Sequence, residues 1–145
     1  MHPATRRRAH GFTLLELLVV VSIMALATAG VGLALRDPGQ TQLAREGERL
    51  AALLESARAQ SRASGVPVRW QAVAGGFRFD GVRAGTLPAQ WLSADTRVRG
   101  AAVLVLGPEP LIGPQAVTLF LQDHPERALR VASDGLRPFT AEPVP

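Results

Sequence analysis

Few side chains in this sequence are placed to do chemistry. A hydrolase needs a nucleophile, a base and an orienting acid that converge. His2 and His10 lie in a basic N-terminal tract, which leaves His124, in "QDHPER", with Asp123 beside it and Ser133 nine positions on. A histidine in so polar a turn is more simply solvated, so no catalytic residue is expected and the chain is not read as an enzyme. Asp80, Asp95, Asp123 and Asp134 occur singly, without the clustered oxygen donors of a calcium site. Cysteine is absent, which excludes thiolate metal ligands, disulfides and a cysteine nucleophile. Gly75-Gly76 precedes a strand pattern and not a helix, so it reads as a turn, not a phosphate cradle. No metal and no cofactor are expected. What remains is one misplaced carboxylate, Glu16, set in an apolar run behind Arg6, Arg7, Arg8 and Gly11.

That run sets the broad class. From Leu17 to Leu35, nineteen consecutive residues carry no charge, and twenty-four separate Phe12 from Leu35 inclusive. A membrane-spanning helix needs roughly 18 such residues or more. The arginines flank its N-terminal side, whereas Arg36 is offset by Asp37, which places the N-terminus in the cytoplasm and the rest outside. An ordinary secretory signal is the alternative, and "ALATAG", Ala25 to Gly30, imitates its cleavage site. It leaves the glutamate and the Gly11-Phe12 junction unexplained. A charge at mid-bilayer costs about 2.5–3.5 kcal/mol, and a helix N-terminus returns about 0.3–1 kcal/mol of that. Glu16 therefore calls for a specific compensation, a cation on an adjoining subunit or a snorkelling reach to the headgroups.

The stretch "GFTLLELLVVVSIMALA", Gly11 to Ala27, resembles the leader and helix start of type IV pilins and type II secretion pseudopilins, which share G-F-T-L-x-E. The resemblance implies that a prepilin peptidase cuts between Gly11 and Phe12 and methylates the new Phe12 amine. It also implies that Glu16 pairs with the cationic N-terminus of an adjoining subunit and so registers each subunit on assembly. Without the leader, thirteen arginines would face twelve acids, a balance that gives no reason to expect a nucleic-acid partner.

The elements beyond follow from periodicity. "RDPGQ", Arg36 to Gln40, should break or kink the helix. From Thr41 to Ser64, Leu43, Gly47, Leu50, Leu54, Ala57 and Ser61 recur at steps of four and three and predict a helix that buries this stripe. Arg45, Glu48, Arg49, Glu55, Arg58 and Arg62 are read as its solvated side, and Gly65 as its cap. The period then becomes two: Val66, Val68, Trp70 and Ala72 alternate with Arg69 and Gln71, and Ala74-Gly75-Gly76 links them to a strand through Phe77 and Phe79. "AAVLVL", Ala101 to Leu106, suits a strand buried on both faces. "VTLFLQ" and "ALRVAS" flank a polar loop, Asp123 to Arg127, and Ser133-Asp134-Gly135 would turn into a last strand at Arg137 to Phe139, before a frayed "AEPVP". Trp70 and Trp91 are read as core.

The sum is an α+β, pilin-like fold: a long N-terminal helix, its first half transmembrane and its second half amphipathic, packed on an antiparallel β-sheet or a two-sheet domain. The expected divisions are a cleaved leader at 1–11, a transmembrane and assembly helix at 12–35, a kink and amphipathic helix at 36–64, and an antiparallel β domain at 65–145. The C-terminal stretch Leu106 to Phe139 and the segment from Leu43 to Trp70 are similar to the GspH/FimT family of minor pseudopilins and minor pilins. That resemblance implies a subunit near the tip of a periplasmic pseudopilus that drives exoprotein export. Its partners would be the prepilin peptidase, other major and minor pseudopilins and the inner membrane, with the secretin and secreted proteins beyond. The alternative within the family is a FimT-like minor pilin acting in DNA uptake, which should carry a basic cluster in its tail. The last ten residues hold one arginine and one glutamate.

Overall fold

The computed structural model describes residues 13–34, 38–100 and 102–144. The chain divides into two compact units, Met1–Asp37 and Pro38–Pro145. The first contributes α1, Leu14–Ala34. Thr13 Oγ1 accepts the main-chain N–H of Glu16 at 3.2 Å, so the helix opens with a threonine cap whose sequence, T-L-L-E, is that of a capping box. The side chains described along α1 end at Ala29. Over the described residues no helix is long and apolar enough to cross a membrane. The expected span, 12–35, begins and ends outside them, at Phe12 and Leu35.

The second unit opens with α2, Pro38–Ser64. Of the expected break, Arg36 to Gln40, the first two residues lie outside the described ones, and Pro38, Gly39 and Gln40 belong to α2. A proline fits a first helical turn, where its missing N–H is not needed. The predicted stripe is the buried one: Leu43, Gly47, Leu50, Leu54, Ala57 and Ser61 all face the core. Gly65, at a φ of 68°, closes α2 by donating to Ser61 O at 2.9 Å, as expected of a cap.

Seven strands follow: β1 Arg69–Val73, β2 Gly76–Asp80, β3 Thr96–Val98, β4 Val103–Val105, β5 Gln115–Leu121, β6 His124–Ser133 and β7 Thr140–Pro143. They form two antiparallel sheets, ordered β2-β1-β4 and β3-β5-β6-β7. The sequence from Thr96 to Val105 serves both, giving β3 to one sheet and β4 to the other with Gly100 at a φ of 75° between them. α2 packs on β5, β6 and β7. Leu50, Leu54, Leu119 and Val131 make that side of the core, and Trp70, Phe77 and Leu104 fill the other. The β1–β2 hairpin turns through Ala74-Gly75 with Val73 opposite Gly76, as predicted.

Three strand expectations are corrected. β4 buries one face only: Leu104 is buried while Val103 and Val105 stay 55% and 45% exposed, because they share with Arg69 and Gln71 of β1 the face of this sheet turned away from the core. The last strand is not Arg137 to Phe139 but β7, which includes most of the tail expected to fray. It pairs with β6, Arg130 opposite Glu142, and Val144 N–H bonds Ala128 O at 3.1 Å. That alternation puts Pro143 at a position where no donor to β6 is required. His124 is likewise not in a loop but opens β6 opposite Leu121, after a turn of Gln122 and Asp123.

Gly47 is where helix and sheet come closest. A Cβ there would overlap Leu129 Cδ2 and lie 3.1 Å from Ala141 Cβ. Gly47→Ala gains about 1 kcal/mol of helix propensity but overpacks at a cost of about 1–3 kcal/mol. Urea denaturation of the full chain in detergent should therefore show a net loss of about 1 kcal/mol, and Gly47→Val a larger one.

Candidate assembly site

α1 is apolar on every side. Leu14, Leu15, Leu17, Leu18, Ile23, Met24 and Leu26 are each about three-fifths or more exposed, although they point in all directions around the axis. A helix with no polar face has to be covered all round by lipid or by other helices. Its polar groups are already answered from within: Ser22 donates to Leu18 O at 2.8 Å, and Thr28 donates to Met24 O at 2.9 Å and Ala25 O at 3.0 Å. These bonds leave α1 without hydroxyl donors that need water.

Glu16 is the exception, an exposed carboxylate in the first turn of α1, four positions after Phe12 in the sequence. The Thr13 cap uses its main-chain N–H, so the carboxylate itself remains available. Gly11 and Phe12 lie outside the described residues. A family model, the prokaryotic N-terminal methylation motif, matches residues 6–32 and so covers all three positions. The chain carries a type IV pilin-like leader. The leader implies processing by a prepilin peptidase and membrane-anchored, pilin-like assembly with other subunits, and it supports a pilin- or pseudopilin-type protein. No curated protein and no solved structure matches the chain.

The other residues that drew attention in the sequence are dispersed. His124 and Ser133 occupy opposite ends of β6, on the order of 30 Å apart at about 3.3 Å per residue. His124 Nδ1 faces Glu126 Oε1 at 3.3 Å, while Ser133 donates to Arg137 O at 2.7 Å. Asp80 bonds Gln71 and Arg78, and among the described residues no three histidine or acidic side chains come together. Trp70 is fully buried and Trp91 half-buried, joined through Phe77, whose ring centroid lies 4.6 Å from that of Trp91.

Two buried charges were not anticipated. Arg58, expected on the solvated side of α2, is 4% exposed and donates to Pro110 O at 3.2 Å and Gly135 O at 3.0 Å. Glu55 beside it accepts the Phe139 N–H at 3.0 Å. One helical stretch earlier the same Glu-x-x-Arg spacing recurs. Glu46, 1% exposed, accepts from Arg49 at 3.0 Å and from the Leu92 N–H at 2.6 Å, and Arg49 also donates to Gln90 O at 3.0 Å. These pairs tie α2 to three connections of the β domain, 81–95, 106–114 and 134–139. The repeated spacing was visible in the sequence, but it does not reveal which loops the charges reach.

Asp134 supports the last of these connections, the one from β6 to β7. Main-chain N–H groups of Arg137 and Leu136, then the Arg137 side chain, hold its carboxyl at about 2, below the ordinary 3.8. Because the folded value is the lower one, this contribution to stability is complete above about pH 4 and lost as the pH falls toward 2. Asp134→Asn should therefore melt below wild type at pH 6, and the two curves should converge near pH 2.

Proposed function

We propose that the chain is a minor pseudopilin of a type II secretion system, a structural subunit without enzymatic activity. On this reading it is made as a single-pass inner-membrane precursor, with its N-terminus cytoplasmic and its β domain periplasmic. The peptidase would cut between Gly11 and Phe12 and methylate the Phe12 amine. The segment 12–35 would then leave the bilayer for the helical bundle of the pseudopilus, exchanging lipid contacts for packing against neighbouring subunits. Glu16 would set the register by pairing with a neighbour's N-terminal amine.

The observation that carries this reading is the pilin-like leader joined directly to a helix that is apolar on all sides and carries one carboxylate in its first turn. A second observation favours secretion over DNA uptake. Arg137, the one arginine of the last ten residues, is held by Asp134 at 2.9 Å, so the tail offers no unpaired cation of the kind that gives nucleic-acid binding its steep salt dependence. The test is to delete the gene in its host and assay exoprotein release and DNA uptake in parallel. Loss of release with uptake intact supports the pseudopilin reading. Loss of uptake with release intact overturns it in favour of a FimT-like minor pilin.

A further inference from the structure

The β domain has an open strand edge beside a groove. Arg97 pairs with Phe120, Arg99 donates to Thr118 O, and Gln122 donates to Asp95 O. In an antiparallel ladder this alternation turns the main chain of Thr96 and Val98 away from β5, toward the outer edge of the sheet. Thr96 spends its N–H on Ser93 O and its carbonyl on the Arg97 guanidinium. Val98 has neither group committed among the described residues.

Along this edge runs a groove of about 490 Å³, between the β1–β2 turn and β3, lined by Val73, Gly76, Trp91, Thr96, Arg97 and Val98 among others. That volume falls within the roughly 300–1,000 Å³ of ligand clefts. Gly100 also borders it, and a Cβ built there would meet nothing within 4 Å, so an approaching backbone finds room. Two features indicate what the groove takes. Thr96 is 1% exposed, yet its Oγ1 has no hydrogen-bond partner, a donor buried without an acceptor. The one charge in the lining is cationic, Arg97.

We propose that this groove docks one extended, acidic peptide segment of a partner protein. The segment adds a strand to β3 through the Val98 N–H and C=O, and one of its carbonyl or carboxylate oxygens accepts the Thr96 hydroxyl, with an acidic side chain facing Arg97. The inference does not depend on whether the filament serves secretion or uptake.

The probe is a nine-residue peptide alternating glutamate and valine, with a lysine–valine peptide as control. Each is titrated into the full chain in detergent micelles while the amide resonances of Val98, Gly76 and Gly100 are followed. The acidic peptide should shift these amides saturably below about 1 mM, and the lysine peptide should not. Thr96→Val keeps the shape and removes the unpartnered hydroxyl; it should fold at least as stably as wild type and bind about tenfold more weakly. Val98→Pro removes the edge donor and should abolish the shifts. No saturable shift, equal binding by both peptides, full binding by Thr96→Val, or displacement of the peptide from the same amides by a single-stranded oligonucleotide would each overturn the proposal.

Discussion

A Glu16→Ala precursor is expected to insert and lose its leader normally, yet to enter filaments poorly, with exoprotein release reduced at least tenfold. The substitution is a clean one because the Thr13 cap bonds the main-chain N–H of residue 16, which alanine retains. The helix start should survive. Membrane energetics alone predict the opposite result, since deleting a carboxylate from an apolar segment removes a cost of up to about 2.5–3.5 kcal/mol. Only a carboxylate that meets a cation on another subunit makes its loss harmful. Glu16→Gln should behave like alanine, because it keeps the shape without the charge. The measurements are the intact mass of the processed chain, the fraction recovered with sheared filaments, and released exoprotein activity. Wild-type incorporation of Glu16→Ala would remove Glu16 from any role in register.

The second large effect is expected inside the β domain. Arg58→Met preserves the buried aliphatic path of the side chain but removes the donors to Pro110 O and Gly135 O. Hydrogen bonds from a charged donor contribute about 1.5–3 kcal/mol each, and a carbonyl left buried without a partner adds a penalty. A loss of about 2–4 kcal/mol follows, which for a unit of this size lowers the melting temperature by about 10–25 °C. Arg58→Lys should fall between, because both bonds leave the one Nη2 and the ammonium, on a side chain one atom shorter, stops short of the two carbonyls while keeping the charge. Near-ultraviolet circular dichroism of Trp70 and Trp91 in the full chain reads the transition. A shift of less than about 2 °C for Arg58→Met would mean that the two loops hold without it.

Much of the architecture was readable because it rests on periodicity. The stripe from Leu43 to Ser61 specified the buried side of α2 residue by residue, and alternation through Trp70 and Phe77 located the first hairpin. The misreadings share a cause: sequence patterns give direction around an element but not what stands opposite. Arg58 follows Ala57 on the rim of the buried stripe, and only the loops at Pro110 and Gly135 make that rim an interior. Glu46 lies between Leu43 and Gly47, and the loop at Leu92 is what makes its side of the helix an interior. "AAVLVL" is as apolar as a strand covered on both faces, and that only the Leu104 face meets the core is a property of the packing. The proline-spaced tail looked unable to pair until register placed Pro143 where no donor is called for. At the leader the opposite holds, since the motif that spans Gly11, Phe12 and Glu16 is a pattern of sequence and is legible before any fold.

The two Glu-x-x-Arg pairs on α2 give the domain a mechanical character. They are offset by nine residues, about 14 Å along the axis at about 1.5 Å per residue. The first fastens the helix to the loop at Gln90 and Leu92, the second to the loops at Pro110 and at Gly135 and Phe139. A pull directed along α2 would strain both fastenings together, in shear, and not peel them apart in sequence. Tension would pass from the helix into both sheets at once, so the β domain should withstand axial force better than an equal force applied across the helix.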